Sequence, residues 1–134
     1  MRKKIFGKKL SRGRGSREAL FRSLTRALVL VGKIETTKAK AKAVVSYVDK
    51  TITWVKKDNL IARRMVLARL GNDREIAERL FAYYLPLVGK RTSGFTRTVN
   101  LPRRVGDRAQ MVYLEWVDKP APVVKKAKNE NISA

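Results

Sequence analysis

The sequence predicts an α+β fold of two layers, with the order α-β-α-α-α-β-β and a three-stranded sheet packed against the helices. Two observations lead to this prediction. Apolar residues recur at helical spacing through most of residues 16–85, and the period changes to two after residue 94. The first pattern indicates helices with one buried face, and the second indicates strands. A chain of 134 residues that is 44% hydrophobic is long enough for one domain with a core.

The first helix is predicted to begin after Ser16, a residue type that caps helix N-termini, with Glu18 in its first turn. Gly32 is the expected stop, because glycine readily adopts the left-handed conformation that ends helices. Residues 33–37 follow as a short β-prone run. This run predicts one strand between two helices.

Two further helices follow the strand. Thr37 is placed to cap the second helix. The apolar face of that helix comprises Ala41, Val44, Val45, Val48, Ile52 and Val55. Residues 56–59 make a turn, and residues 60–70 form the third helix. The residues available for packing in the third helix are Leu60, Ile61, Val66 or Met65, Leu67 and Leu70.

A fourth helix is predicted over residues 73–85. Asn72 together with Glu75 resembles a capping pair at its start. Pro86 and Gly89 are expected to close the helix, since proline lacks the amide hydrogen that continues the hydrogen-bonding pattern.

The last part of the domain is predicted to be a β-hairpin. Residues 95–101 alternate in steps of two, residues 102–107 read as a turn, and residues 109–117 form a second strand. Residues 33–37 are available to join this hairpin in one sheet, with the helices on one face. Phe95 is expected to pack in the core, with stacking on a base as the open alternative.

The charge of the chain points to a polyanionic partner. Thirty-two Lys and Arg against eleven Asp and Glu give a formal net charge of +21. This excess is far larger than solubility requires, and it is typical of proteins that contact phosphates. A merely solvated basic surface is the alternative.

The charge is dense at the N-terminus, where residues 1–17 hold eight Lys or Arg and no acid. Such a segment cannot bury enough apolar surface to offset its ordering entropy of roughly 1–2 kcal/mol per residue. We therefore divide the chain into a basic RNA-binding arm (residues 1–15), an α+β domain (16–118) and a lysine-rich tail (119–134) that is expected to be disordered.

Several classes of function are excluded or disfavoured. The chain has no Cys and no His, so disulfides and Cys/His metal sites are excluded, and the commonest general base is missing. The longest apolar run, residues 27–31, is too short to cross a bilayer. No phosphate-loop motif and no catalytic constellation occur, and Asp107 reads as a turn residue. We expect no enzyme activity, cofactor, metal, membrane partner or small-molecule substrate.

The remaining candidate residues are basic and fall into sets. The first set is the arm, and a further set is Arg63 and Arg64 on the third helix. Arg97, Arg103 and Arg104 lie around the hairpin. Lysines also crowd the start of the second helix, where a docked phosphate would offset both their charge and the helix dipole. For these lysines a solvated face is nearly as good an explanation.

Six segments resemble the bacterial large-subunit ribosomal protein L17 family. These segments are MRKKIFGKKLSR, REALFRSL, IETTKAKAK, ITWVKKDNLIARRMVLARL, SGFTRT and RRVGDRAQMVYLEWV, in this order. The resemblance covers about residues 1–118 and implies the same α+β order of elements. It also implies binding to 23S rRNA near the nascent-chain exit side of the large subunit, beside other ribosomal proteins, and hence a cytoplasmic ribosomal location.

The resemblance, taken with the basic sets, names the residues expected to contact RNA. They are Arg2, Lys3, Lys4, Lys8, Lys9, Arg12, Arg14, Arg17, Arg22, Thr36, Thr37, Lys38, Lys40, Arg63, Arg64, Thr96, Arg97, Arg103 and Arg104. The predicted function is that of a structural constituent of the large ribosomal subunit. A free nucleic-acid-binding regulator and an RNA-processing enzyme are the alternatives, and the second would need a metal or an acid–base pair.

Overall fold

A computed structural model describes residues 7–118, so the structure says nothing about Arg2, Lys3, Lys4 or the tail predicted over residues 119–134. The helical elements are α1 (Arg14–Val31), α2 (Lys38–Val55), α3 (Leu60–Arg69), α4 (Arg74–Arg79), a π-helical segment (Leu80–Tyr84) and α5 (Leu85–Val88). The strands are β1 (Lys33–Thr37), β2 (Thr96–Arg103) and β3 (Gln110–Trp116). The predicted α+β order is confirmed, with α4 to α5 forming the fourth predicted helix.

The three strands form one antiparallel sheet in the order β1-β3-β2. Alternate residues of β3, namely Val112, Leu114 and Trp116, are buried on the face that packs against the helices. The predicted turn is too long at its start, because Pro102 and Arg103 belong to β2. The register of β2 shifts between Asn100 and Arg103. Proline is tolerated there because β2 is an edge strand, which leaves one row of amides unpaired.

Helix α2 supplies the centre of the core. Ala41, Val44, Val48, Ile52 and Val55 are each at most 1% exposed, which confirms most of the predicted apolar face. Phe95 is also buried in this core, as expected. The burial of one complete face of α2 fixes where its first turn emerges, at the end of β1.

Two polar aromatic side chains join the helices to the sheet. Trp116 Nε1 donates to the carbonyl oxygen of Leu28 at 3.0 Å, and the Tyr84 hydroxyl donates to that of Val29 at 3.2 Å. The two rings lie 4.5 Å apart between centroids. Burial raises the pKa of Tyr84 to about 12, because the apolar surroundings disfavour the phenolate. These contacts fasten α1, the fourth helix and β3 together.

The predicted start of the first helix is wrong. Helix α1 begins at Arg14, and the extended Gly13 holds the N-cap position that we assigned to Ser16. Arginine is a good helix former, so the helix extends one turn further towards the N-terminus. Glu18 consequently lies beyond the first turn, where it pairs with Arg14 at 3.2 Å and Arg22 at 4.0 Å.

The predicted cap of the fourth helix is displaced by one residue. Asn72 has a φ of 64° and terminates the preceding helix, with its amide donating to the Leu67 carbonyl at 2.8 Å. Asp73 is the N-cap, and its carboxylate accepts from the Ile76 amide at 3.3 Å. Asparagine tolerates the left-handed conformation better than most residues, which explains this division of roles.

Pro86 does not close the fourth helix, contrary to the prediction. The helix continues through the π-helical segment to Val88 and ends at Gly89, as predicted for the glycine. A proline ring in a regular α-helix collides with the carbonyl four residues before it. The wider π turn, in which the Leu85 amide donates to the Leu80 carbonyl, directly precedes Pro86.

The packing prediction for the third helix is wrong for Leu60 and Ile61, and of the two alternatives Val66 and Met65 it is Val66 that packs. Leu60, Ile61 and Met65 are 65%, 70% and 45% exposed, whereas Val66 is fully buried. The periodicity of a short helix rich in apolar residues fits more than one orientation, and tertiary contacts with α2 decide between them. The consequence is an uncovered apolar face on α3.

Candidate nucleic-acid interface

The structure contains a cleft of about 460 Å³ at one end of the sheet. Its walls come from three separate parts of the chain: the arm, the start of α2 and the hairpin end of β3. The lining residues are Lys8, Thr37, Lys38, Ala39, Lys42, Ala109 and Gln110. Three ammonium-bearing side chains therefore border one opening that carries no carboxylate.

Local folding places the α2 lysines at this cleft. Strand β1 ends at Thr37 and α2 starts at the next residue, so Lys38 and Lys42 follow on the first turns of the helix. Thr37 holds the N-cap position as predicted, but its side chain makes no capping hydrogen bond. The first turn of α2 contains no acid. The amides at the helix N-terminus and the lysines thus contribute positive potential together, an arrangement that favours an anion.

These lysines have no ionic partner among residues 7–118. Lys8, Lys38, Lys40 and Lys42 take part in none of the ion pairs within that range, although many arginines do. Cations without an ionic partner at a helix N-terminus are repelled by the positive end of the helix dipole and by each other. An anionic ligand in the cleft relieves both repulsions.

The arm is held beside the cleft by α1. The guanidinium of Arg17 donates to the carbonyl oxygens of Lys9 at 3.5 Å and Arg12 at 3.3 Å. The Arg12 amide donates to the Lys9 carbonyl at 3.2 Å, which closes a turn. Leu10 and Ser11 adopt φ values of 54° and 52° within this turn. Arg17 therefore positions the arm backbone, while Lys9 remains exposed.

The β2–β3 hairpin completes this end of the sheet. Thr37 pairs with Met111 in the sheet, and Arg103 pairs with Gln110, so both lie at the end where the cleft opens. We call the cleft together with Lys9 and Arg103 the basic end, whereas Lys40 lies on the other flank of α2 from Lys38 and Lys42.

Arg104 in the hairpin is paired with Asp107. Their two hydrogen bonds measure 3.2 Å and 2.6 Å, and the Ala109 amide donates to Asp107 at 3.1 Å. The Arg104 guanidinium lowers the pKa of Asp107 to about 2 by hydrogen bonding to the carboxylate. Asp107 is thus the turn residue that we predicted, and Arg103 is left without an ionic partner among the described residues.

Thr96 and Arg97 lie at the opposite end of the sheet. They pair with Trp116 and Glu115, about 20 Å from Gln110 at the usual rise per strand residue. Arg97 donates to the Glu115 carboxylate at 2.7 Å, and the Glu115 side chain is only 8% exposed. The structure therefore does not bring these two candidates to the basic end.

Four other candidates have local partners or lie in the interior. Arg63 pairs with Asp58 at 2.7 Å and lies 4.6 Å from the centroid of the Phe81 ring. Arg22 donates to the Arg69 carbonyl at 3.2 Å, and Arg14 pairs with Glu18. Thr36 is 7% exposed on the inner face of the sheet, opposite Val112.

Sequence reasoning missed Gln110, and it did not name Lys42 among the residues expected to contact RNA. Lys42 was visible as one of the lysines at the start of the second helix, and its place in the cleft follows from the rotation of α2 about its buried face. Gln110 gives no signal in the sequence, because only the strand register brings it beside Thr37.

Within residues 7–118, no group of three metal-ligating side chains occurs. Glu75 is paired with Arg79 at 3.2 Å and with Arg26 at 3.7 Å. No helix in this range is long and apolar enough to span a membrane.

The fold and the site define a small basic α+β protein with a lysine-bordered surface cleft. Residues 20–117 match the family described as ribosomal protein L17. The large ribosomal subunit protein bL17 of Persephonella marina is 45% identical over 121 residues, which cover 90% of this chain and 98% of the relative. The bL17 proteins of Sulfurihydrogenibium sp. and Thermodesulfovibrio yellowstonii are 39% and 37% identical, over 90% and 97% of the chain and 100% and 97% of the relatives.

The chain belongs to the ribosomal protein L17 family. It is a structural constituent of the large ribosomal subunit, with a part in translation, and it is not an enzyme. The resemblance seen in the sequence is thereby confirmed, and the RNA-processing alternative is excluded.

Proposed function

We propose that this chain binds 23S rRNA in the large subunit of a cytoplasmic ribosome, with the basic end as its principal contact surface. The supporting observation is the cleft, where Lys8, Lys38 and Lys42 converge without a carboxylate. A phosphate group fits this chemistry because it accepts hydrogen bonds from ammonium groups and from the amides at a helix N-terminus.

The arm extends this surface in the proposal. Residues 1–15 follow a path through RNA, and the domain of residues 16–118 fixes where that path begins. Arg2, Lys3 and Lys4 lie outside the described residues and remain proposed contacts. Lys9, Arg12 and Lys38 are exposed, and Lys38 borders the cleft together with Lys8 of the arm.

The other predicted contacts differ in whether they already have a partner within the protein. Arg103 belongs to the basic end, Lys40 lies on the other flank of α2, and neither has an ionic partner in the described range. Arg14, Arg22, Arg63, Arg97 and Arg104 already hold protein partners, so an RNA phosphate has to share or displace those partners. Arg17 acts chiefly by its hydrogen bonds to the arm backbone, and Thr37 forms part of the cleft wall.

The test is the salt dependence of binding to 23S rRNA. Replacing Lys8, Lys38 and Lys42 together by Gln removes three phosphate partners, so the negative slope of log affinity against log salt should become shallower by about 0.7–0.9 per residue. The matched control replaces Lys50, Lys57 and Lys90, which are exposed and lie outside the cleft. If the slope for the control variant became as shallow as that for the cleft variant, total charge and not the basic end would determine binding.

A further inference from the structure

Helix α3 presents an apolar face that nothing in the described chain covers. Leu60, Ile61 and Met65 are 65%, 70% and 45% exposed. Arg64 and Ala68 are exposed as well, and all five lie on one side of the helix by their spacing of three, four or five residues. The opposite side, with Ala62 and Val66, is buried in the domain.

This face differs from ordinary exposed hydrophobic residues. Single apolar side chains on a protein surface need no explanation, but a contiguous group marks a contact site. Val105 is exposed singly in the hairpin, and Val31 at the end of α1 has only the less exposed Leu30 beside it. On α3 the exposed apolar residues are adjacent, and the face contains one charged residue.

That charged residue, Arg64, has no ionic partner among residues 7–118. Its neighbour Arg63 pairs with Asp58 at 2.7 Å and lies over the Phe81 ring, on the side of the helix towards the domain. The face thus combines apolar area with one unneutralised guanidinium. Its complement is an apolar surface that carries a carboxylate.

We infer that this face of α3 docks a neighbouring protein of the large subunit, with Arg64 pairing with an acidic residue of that protein. The phosphates on the outside of an RNA helix offer no apolar surface to Leu60 and Ile61, and this face carries one cation among three large apolar side chains, unlike the lysine-bordered cleft that we assign to RNA. A second copy is disfavoured because each chain carries a net charge of +21, and symmetric packing would bring Arg64 towards its own counterpart. The inference rests on membership of the ribosomal family and not on the proposed RNA contacts, so the two can fail separately.

Site-specific crosslinking identifies the occupant. The full chain carries a photoreactive amino acid at position 61, large subunits that contain it are isolated, and the crosslinked products are identified by mass spectrometry. We expect a crosslink to one protein of the large subunit, at a segment with apolar residues and an Asp or Glu. Crosslinks to rRNA alone, to a second copy or to residues 119–134 of the same chain would overturn the inference, as would no crosslink.

A retention assay supplies the energetic test. Tagged L60S/I61S and wild-type chains compete for incorporation, and their ratio in subunits is measured after washes of rising salt. Phosphate contacts weaken with salt whereas apolar contacts do not, so the double variant should be depleted at least tenfold, and more at higher salt. The control V31S removes one similarly exposed apolar side chain outside the α3 face, and its retention should stay within twofold of wild type.

Two results would overturn the docking role in this assay. One is wild-type retention of L60S/I61S at all salt concentrations. The other is equal depletion of the double variant and of V31S. Thermal unfolding of each purified variant confirms that the exposed substitutions leave the fold intact.

Discussion

The guanidinium of Arg17 donates hydrogen bonds to the carbonyl oxygens of Lys9 and Arg12, and so fastens the arm to the first turn of α1. Arg17, which the sequence predicts to be an RNA contact, therefore also has a structural role. The bonds are long, at 3.5 Å and 3.3 Å, and exposed, so each is weak.

Replacing Arg17 with Ala should release the arm and leave the domain stable. Both hydrogen bonds are lost, and an exposed contact of this kind contributes about 0–1 kcal/mol. The Arg12 amide, which donates to the Lys9 carbonyl, should exchange its hydrogen several times faster. Amide exchange by NMR measures this change. Arg14→Ala, which removes only the pair with Glu18, serves as the control, and equal acceleration in both variants would contradict the role of Arg17.

Stability at alkaline pH should depend on Tyr84. Burial raises the pKa of this phenol to about 12 from the usual 10, so the folded state favours the neutral form. Its contribution is complete below pH 10 and is lost as the pH rises through 12. Denaturant unfolding at pH 8–12 should show a decline that is shallower in Tyr84→Phe.

The same variant separates the hydrogen bond from the ionisation. At neutral pH, Tyr84→Phe should lose about 1 kcal/mol of unfolding free energy, because the Val29 carbonyl loses its donor. If wild type and variant declined in parallel above pH 10, ionisation of Tyr84 would not be the cause.

The hairpin should keep its conformation in acid until the pH approaches 2. Arg104 lowers the pKa of Asp107 to about 2, so the stabilisation that this pair gives the hairpin is complete above about pH 4 and lost as the pH falls through 2. Carbon NMR of the Asp107 carboxyl gives the titration directly. In Arg104→Gln the pKa should rise towards the usual value for Asp, and an unchanged pKa would show that the Ala109 amide alone sets it.

Much of the fold was predictable because local patterns and burial agree. The alternation after residue 94 marks a hairpin, and the valines of α2 mark one face that is buried in the structure. Pro86 misled because its effect depends on the width of the turn before it. Asn72 misled because asparagine serves equally well as an N-cap and in a left-handed helix terminus.

The residue types of the candidate site could be predicted from the sequence, but which of these residues lie together could not. Runs of lysine and arginine are visible in the sequence, yet their neutralisation depends on distant acids, as the pairing of Arg97 with Glu115 shows. The meeting of Lys8 with Gln110 depends on strand register and on the path of the arm. Ion pairing with distant acids, strand register and the path of the arm depend on tertiary structure, which no local sequence pattern predicts.

The location of rRNA relative to the cleft tests the account most directly. A cryo-EM map of large subunits that contain this chain should show an rRNA phosphate within about 4 Å of the ammonium groups of Lys38 and Lys42, the range of a direct ion pair. A cleft that faces solvent, or that is filled by another protein, would contradict the assignment of the basic end to RNA.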